Sequence, residues 1–423
     1  MKITIVGGGY VGLVTGACFA DIGHDVTVID VDPVKVGIIN EKRSPIFEPG
    51  LENILIRTIG KNLRADLSYN SVSTSDLTFI CVGTPPKGDG STDLTYIESA
   101  SRSIGMALQN TLGYRVVVVK STVPPKTTET VVRPAVLASA RKTEDDIGFA
   151  MNPEFLREGR AIEDFRQPDR IVIGSDRSRA GDLVAEVYRS SPAPVVRTGL
   201  AAAEMIKYTA NAFLATKISF SNEIGNICKE FGIDVYDVMK GVGLDQRIGG
   251  QFLNAGAGFG GSCFPKDVAS LSVLAGRAGV DPKILRAVLG VNEEQPHRLV
   301  ALLEKKAGIL SGKRIAILGL AFKDNTDDVR DSRAIPVIRE LQKKGARVVA
   351  FDPMAGPNMK KIFPAIEYAG SAGEALKGAD GCLVMTEWPE FGRIDKEFEL
   401  MAHRIVIEGR RILSWKGAEG ICW

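Results

Sequence analysis

The chain opens on an apolar run that leads directly into three spaced glycines, and this arrangement limits the possible folds more than any other feature. Lys2 to Val6 is rich in β-branched residues, and residues 7–12 have the spacing Gly-x-Gly-x-x-Gly. A helical pattern follows, and a second strand-like run covers Asp25 to Asp30. Strand, tight turn, helix and strand in this order predict a βαβ unit, the building block of a parallel α/β sheet.

Gly7, Gly9 and Gly12 are the residue type that a dinucleotide-binding turn requires. The absent side chains allow a tight turn, a close approach to a pyrophosphate at the helix N-terminus, and contact between helix and sheet. Asp30, at the end of the second strand, can accept hydrogen bonds from ribose hydroxyls and disfavours a 2′-phosphate, so we expect NAD. The alternative interpretation is a turn that only closes a strand, with Asp30 in solvent.

Further strand-like runs predict the rest of the first domain. The residues 77–82, 115–120 and 171–173 alternate with helical segments, which is typical of a mostly parallel sheet covered on both faces. We therefore expect a Rossmann-like NAD-binding domain over residues 1–195.

Two more domains are predicted after it. A helical pattern from Ala201 to Phe231 begins a central helical domain, residues 196–308, which also carries a glycine-rich loop. A second strand–helix–strand pattern then starts a Rossmann-like domain over residues 309–423, in which Leu320 to Lys323 replaces the glycine triplet. The predicted fold class is α/β, with two Rossmann-like domains joined by a long central helix.

Composition excludes several classes of function. The 53 basic and 51 acidic residues give a net charge of +2 without a basic block, so no nucleic-acid partner is expected. No apolar run reaches the roughly 18 residues that span a bilayer, and we expect a cytoplasmic protein without membrane attachment. The three histidines have no second ligand at metal-binding spacing, so no metal is expected.

One of six well-separated cysteines lies in a setting typical of a nucleophile. Cys263 follows flexible glycines and precedes Lys266, Asp267 and a helical pattern, and both a cation and a helix N-terminus favour the thiolate. A thiolate next to a nicotinamide site suggests oxidation at the aldehyde level, through a thiohemiacetal and a thioester. The other cysteines are expected to be reduced thiols, and small core residues in the cases of Cys18, Cys81, Cys228 and Cys382.

At this point the chain resembles the nucleotide-sugar dehydrogenase family, the UDP-glucose/GDP-mannose dehydrogenases, over nearly its whole length. The resemblance is carried by the glycine turn and by several further segments. These are Val82-Gly83-Thr84-Pro85, Ser121-Thr122-Val123-Pro124, Asn152 to Glu158, Lys207 with Asn211, the Cys263 loop, and Gly319 to Lys323.

The resemblance implies an activity and an assembly. Two NAD would be used in succession to convert UDP-glucose to UDP-glucuronate, with Cys263 carrying the thiohemiacetal and thioester. The helix from Ala201 onward would form the core of a homodimer, and Arg247 would reach into the partner's site.

The resemblance also assigns roles to residues. The catalytic set would be Cys263, Lys207, Asp267, Asn211, Glu154 and Thr122. The cofactor would contact Gly7, Gly9, Tyr10, Val11, Gly12, Asp30, Lys35, Thr84, Thr122, Glu158, Lys266 and Arg330. The sugar nucleotide would contact Glu154, Phe155, Leu156, Arg157, Glu158, Lys207, Asn211, Arg247, Phe252, Leu253, Asn254, Ala255, Gly256, Gly260, Lys323 and Arg411.

Other interpretations of these residues stay open from the sequence. Lys207 with Asn211 could be a solvated helix face, and Glu154 with Glu158 a surface salt-bridge pair. The substrate could be GDP-mannose or a UDP-N-acetylhexosamine, although Ser262 stands where enzymes for UDP-N-acetylmannosamine usually have histidine. A non-catalytic NAD-binding sensor and a two-electron hydroxy-acid dehydrogenase are alternatives of other kinds.

Overall fold

The computed structural model describes residues 1–423 and divides into two compact units, Met1–Ala210 and Asn211–Trp423. The three domains, with bounds after residues 195 and 308, stay predictions. None of the helices has both the length and the apolar composition that crossing a membrane requires.

The first unit is built on an eight-stranded sheet with the order β3-β2-β1-β4-β5-β6-β7-β8. Neighbouring strands are parallel except for β6 and β7, which pair antiparallel. The strands are β1 Lys2–Val6, β2 Asp25–Ile29, β3 Leu63–Asp66, β4 Leu77–Ile80, β5 Arg115–Val119, β6 Ile147–Met151, β7 Ile171–Ser175 and β8 Val195–Thr198.

Helices cover both faces of this sheet, because its central strands are buried on both sides and need apolar partners. They are α1 Tyr10–Asp21, α2 Pro33–Asn40, α3 Leu51–Thr58, α4 Thr95–Leu108, α5 Arg133–Ala140, α6 Ala161–Arg166 and α7 Ser178–Val187. The 31-residue helix α8, Leu200–Glu230, runs through the boundary of the two units.

The second unit contains a six-stranded sheet, with all neighbours parallel and the order β11-β10-β9-β12-β13-β14. Its strands are β9 Arg314–Leu318, β10 Arg347–Phe351, β11 Glu367–Tyr368, β12 Gly381–Val384, β13 Val406–Glu408 and β14 Glu419–Gly420. Its helices are α9 Val235–Gly243, α10 Phe264–Arg277, α11 Lys283–Ala307, α12 Ala334–Lys343, α13 Gly356–Ile362 and α14 Ala372–Leu376.

The expected α/β class with two mostly parallel Rossmann-like sheets and a long helix is confirmed. The predicted strand β1 matches the structure residue for residue, and the predicted helix 201–231 differs from α8 by one residue at each end. In a parallel α/β sheet the carboxyl ends of the strands lie along one edge, where ligands bind. The loops after β1, β4, β5 and β6 carry most of the candidate residues of the first unit.

Candidate active site

The three glycines of the turn after β1 have different surroundings, and each matches one requirement of a dinucleotide site. Gly7 has a φ of +108°, and a Cβ there would lie 2.7 Å from the carbonyl oxygen of Cys81. A Cβ on Gly12 would lie 1.8 Å from the carbonyl oxygen of Gly7, so only glycine permits this approach of α1 to the turn. Around Gly9, by contrast, a Cβ would meet nothing within 4 Å, which leaves open space for a ligand.

The start of α1 fits a pyrophosphate. Its N-cap residue is Gly9, so no side chain caps the helix, and the first turn contains no acidic residue. The first backbone N–H groups of a helix have no partner within the helix and attract anions. Tyr10 and Val11, both partly buried, begin this turn.

Asp30, directly after β2, is oriented by the turn itself. Its Oδ2 accepts a hydrogen bond from the backbone N–H of Gly8 at 2.8 Å, and its Oδ1 accepts from that of Asp32 at 2.9 Å. Each carboxylate oxygen keeps a second lone pair for a ribose hydroxyl. The residues present therefore fit NAD, with Lys35 in the first turn of the following helix, α2.

The loops after β4 and β5 are joined by hydroxyl groups. Thr84 Oγ1 donates to the carbonyl oxygen of Thr122 at 3.0 Å, and Ser121 Oγ donates to that of Val82 at 2.7 Å. These two bonds hold the loop that contains Thr122 against the loop after β4.

Glu154 and Lys207 form a buried ion pair in the first unit. The distance from Lys207 Nζ to Glu154 Oε1 is 3.0 Å, and the two side chains are only 4% and 6% exposed. Glu154 Oε2 also accepts from the backbone N–H of Leu156 at 2.5 Å. The interpretation of Lys207 as part of a solvated face, and of Glu154 as a surface residue, is therefore wrong.

The residues that follow Glu154 in the loop after β6 have contacts of their own. Phe155 lies under the guanidinium of Arg170, with its ring centroid 3.7 Å away. Arg157 forms an ion pair with Asp164 of α6, and Glu158 is partly buried.

In the second unit, Cys263 is the one exposed cysteine, while the other five are buried and none of the six forms a disulfide. Cys263 occupies the N-cap position of α10, and Ser262 Oγ lies 3.6 Å from its Sγ. The thiol is thus presented at the positive end of a helix dipole, a position that favours a thiolate.

A buried carboxylate lies one turn further along α10. Asp267 is 1% exposed, and its Oδ2 accepts from Nδ2 of Asn211 at 2.6 Å while its Oδ1 binds Nζ of Lys266 at 2.5 Å. The structure therefore gives Lys266 a carboxylate partner beside Cys263. Asn211 is 5% exposed, so a solvated face is wrong for this residue too.

The backbone of the glycine-rich loop before Cys263 packs closely against the backbone of other segments. A Cβ on Gly256 would lie 2.4 Å from the carbonyl oxygen of Gly409, and one on Gly260 would lie 2.3 Å from that of Asp331. Leu253 and Ala255 are buried, Phe252 is partly buried with φ +64°, and Asn254 is exposed. The loop thus keeps one polar side chain, Asn254, in solvent.

The remaining candidate cations have acidic or aromatic neighbours within the second unit. Arg411 pairs with Asp234 at 2.9 Å and lies over the Tyr236 ring. Lys323 lies over the ring of Phe322. The side chains of Arg247 and Arg330 bind Asp245 and Asp328, respectively, each at 2.6 Å.

Sequence reasoning missed two buried acids of the first unit. Glu204 of α8 accepts from the backbone N–H groups of Lys126 and Thr128, at 2.6 and 2.8 Å, and Glu48 lies beneath the start of α1. Glu204 is the only acid in the first two turns of α8, which is the one signal that could have marked it. Burial raises the pKa of Glu204 to about 7.

The structure has an open glycine turn at a helix start, an oriented acid after β2 and parallel strands on either side. These features define a dinucleotide-binding domain. Comparison with known proteins agrees. Residues 1–191, 201–294 and 316–414 match the NAD-binding, central and UDP-binding domains of the UDP-glucose/GDP-mannose dehydrogenase family. The chain belongs to this family, and NAD is its cofactor.

Individual relatives cover almost the whole chain. The chain is 48% identical to UDP-glucose 6-dehydrogenase AglM of Haloferax volcanii, over 98% of this chain and 97% of that protein. It is 43% identical to UDP-glucose 6-dehydrogenase TuaD of Bacillus subtilis, over 98% and 90%. A solved UDP-glucose dehydrogenase of Pyrobaculum islandicum superposes with a TM-score of 0.96 at 42% identity, over 100% and 98% of the two chains.

The glycine geometry predicts opposite outcomes for two alanine substitutions. Gly12→Ala places a Cβ against a backbone oxygen and should lower the free energy of unfolding by about 1–3 kcal/mol. Gly9→Ala adds a methyl group in open space, so stability should stay within about 0.5 kcal/mol while NADH binding weakens roughly tenfold or more. Urea unfolding and NADH fluorescence titration measure both, and equal stability losses would contradict this assignment.

The raised pKa of Glu204 predicts a pH dependence of stability. Since the folded pKa lies above the ordinary value, the stabilising contribution is present below about pH 4.5 and is lost as the pH rises through about 7. Between pH 5 and 8 the wild type should lose on the order of 2–3 kcal/mol more unfolding free energy than Glu204→Gln, which cannot ionise. Identical pH slopes in urea unfolding would exclude this role.

Proposed function

We propose that the chain oxidises UDP-glucose to UDP-glucuronate in two successive NAD-dependent steps, through a thiohemiacetal and a thioester on Cys263. The observation that carries the proposal is the position of the one exposed thiol, at the N-cap of α10, one turn before a buried carboxylate. A core cysteine would be buried like the other five.

The choice of substrate is supported by the relatives. The proteins that match at 48% and 43% identity are named UDP-glucose 6-dehydrogenases. A solved UDP-D-ManNAc dehydrogenase of Pyrococcus horikoshii shares only 28% identity, at a TM-score of 0.88. A UDP-binding domain match at residues 316–414 supports a uridine nucleotide.

In the first oxidation the residues of α8 would bind the C6 oxygen. Lys207 and Asn211, one helical turn apart, can donate to this oxygen and stabilise negative charge on it. The hydroxyl proton passes to the pair of Lys207 and Glu154, and C6 loses a hydride. Bound NAD supplies the hydride acceptor in both oxidations.

In the second oxidation Cys263 is the nucleophile. Its thiolate adds to the C6 aldehyde, which forms a C–S bond and an oxyanion held by the same two donors. Loss of a second hydride gives the thioester. Water then attacks the carbonyl carbon, the C–S bond breaks, Cys263 leaves as thiolate, and Asp267 accepts the proton of the attacking water.

The remaining assignments complete the proposal. Thr122 and Glu158 hold water or the nicotinamide, and the glycine turn with Asp30, Lys35 and Thr84 holds the rest of NAD. The loop 252–260 with Lys323 and Arg411 binds the UDP-sugar. We further propose a cytoplasmic homodimer in which Arg247 reaches the partner's site.

The stoichiometry of NADH tests this function. Limiting UDP-glucose with excess NAD should yield two NADH per substrate and one UDP-glucuronate, and GDP-mannose or UDP-N-acetylhexosamines should give much lower rates. Cys263→Ser should still bind NADH yet lose at least about 100-fold in acid formation, because an alkoxide replaces the thiolate only poorly. One NADH per substrate, or full turnover by Cys263→Ser, would refute the covalent route.

A further inference from the structure

Glu48 is a buried acid that none of the proposed catalytic steps uses. It is 6% exposed and lies in the segment between α2 and α3. A buried carboxylate is costly unless donors surround it. Its donors come from two places that are far apart in sequence, the start of α1 and the start of α6.

On the α6 side, Glu48 binds the exit of the loop that follows β6. Its Oε2 accepts from the backbone N–H of Gly159, and its Oε1 accepts from that of Ala161, both at 2.7 Å. Residues 152–160 are the irregular stretch between β6 and α6, and they include Glu154 and Glu158. Glu48 thus fixes where this loop ends.

On the α1 side, Glu48 accepts a hydrogen bond from the phenol of Tyr10. Burial, and then the hydrogen bond to Glu48, raise the pKa of Tyr10, so its hydroxyl stays a donor. The backbone N–H of Gly159 also approaches the Tyr10 oxygen, at 3.1 Å. Tyr10 is the first residue of α1, and its backbone belongs to the turn that fits the pyrophosphate.

We propose that Glu48 is a positioning residue that couples NAD binding at the start of α1 to the position of the loop 152–160. A shift or stiffening of the first turn of α1 reaches the phenol of Tyr10, then the carboxylate of Glu48, then the amides of Gly159 and Ala161. Helix α1 also packs on α3 and α6, and the ring centroids of Phe19 and Phe165 are 5.4 Å apart. These three helices therefore support the start of α1 and the end of the loop together.

The consequence is ordered assembly of the site. NAD stiffens the loop that holds Glu154, the partner of Lys207, before the sugar is oxidised. This consequence rests on the proposed function for the role of the loop, while the coupling itself requires only NAD binding. A second acid that forms hydrogen bonds with the same loop, Asp164, provides a matched control. Arg157 donates its backbone N–H to Asp164 at 2.8 Å and pairs with its carboxylate, and neither interaction involves a residue of α1.

Hydrogen exchange of backbone amides in the full-length protein tests the coupling. In the wild type, saturating NADH should slow exchange at residues 156–161 about tenfold. In Glu48→Gln the same amides should exchange faster without ligand, and NADH should change their rates less than about twofold although it still binds. In Asp164→Asn exchange should also be faster, but the roughly tenfold effect of NADH should remain.

Three results would overturn the inference: no effect of NADH in the wild type, a retained effect in Glu48→Gln, or loss of the effect in Asp164→Asn as well. If Glu48→Gln fails to fold, the same exchange experiment is done on Tyr10→Phe. This variant keeps both backbone bonds to Glu48 and removes only the phenol hydroxyl, so it should lose the effect of NADH on residues 156–161. Tyr368→Phe, which loses a hydroxyl bond to Phe363 in the other unit, is the control for that change and should keep the NADH effect.

Kinetics separate this inference from the proposed function. Glu48→Gln should raise the KM for UDP-glucose by about tenfold and change the Kd for NADH by less than about threefold, since the glycine turn is intact. A KM and kcat equal to those of the wild type would contradict a positioning role. Absence of any NADH formation by the wild type would instead refute the substrate, and the exchange experiment would still decide the coupling.

Discussion

The proposed chemistry depends above all on the burial of Asp267 one turn after an exposed thiol. A carboxylate that is 1% exposed needs donors, and Asn211 and Lys266 supply them. The bond to Asn211 ties the first turn of α10 to α8, so Cys263 is held at a defined position although its side chain faces solvent. A mobile thiol would gain little from the helix dipole, since that effect is limited to the helix end.

The same principle recurs in the first unit, where buried acids organise the loops at the carboxyl edge of the sheet. Glu154 binds Lys207, Glu204 caps the segment after Thr122, and Glu48 binds the exit of the loop after β6. Each acid joins a loop to a helix that the sheet supports. Loops carry the candidate residues, and buried polar contacts give these loops the rigidity that catalysis requires.

Much of this fold could be predicted, because β-branched runs and glycine spacing are local signals. The run at β1 was recognisable residue by residue, and the predicted run 115–120 extends only one residue beyond β5. The turn at Gly9 is open, as its glycine spacing indicated. The strand β3 was missed because its sequence, Leu-Arg-Ala-Asp, contains no β-branched residue, and the short strands β11 and β14 have only two residues each. The antiparallel pairing of β6 with β7 is decided by the chain path, which no local pattern encodes.

The candidate site was less predictable than the fold. The thiol stood out through its flanking glycines, and in the structure it is exposed. The partners of Lys207, Lys266 and Asn211 could not be derived, because side-chain pairing depends on distances set by tertiary packing. Glu48 was missed for the same reason, since its donors at Tyr10, Gly159 and Ala161 lie 38, 111 and 113 residues away.

In the proposed reaction Cys263 becomes covalently bound to the substrate carbon. This bond can be detected by mass spectrometry of the acid-quenched enzyme during turnover of UDP-glucose with NAD. We expect a transient mass increase on the peptide that contains Cys263, equal to the UDP-glucuronyl group and removed by hydroxylamine. An unmodified Cys263 peptide throughout turnover, or an adduct on another residue, would contradict it.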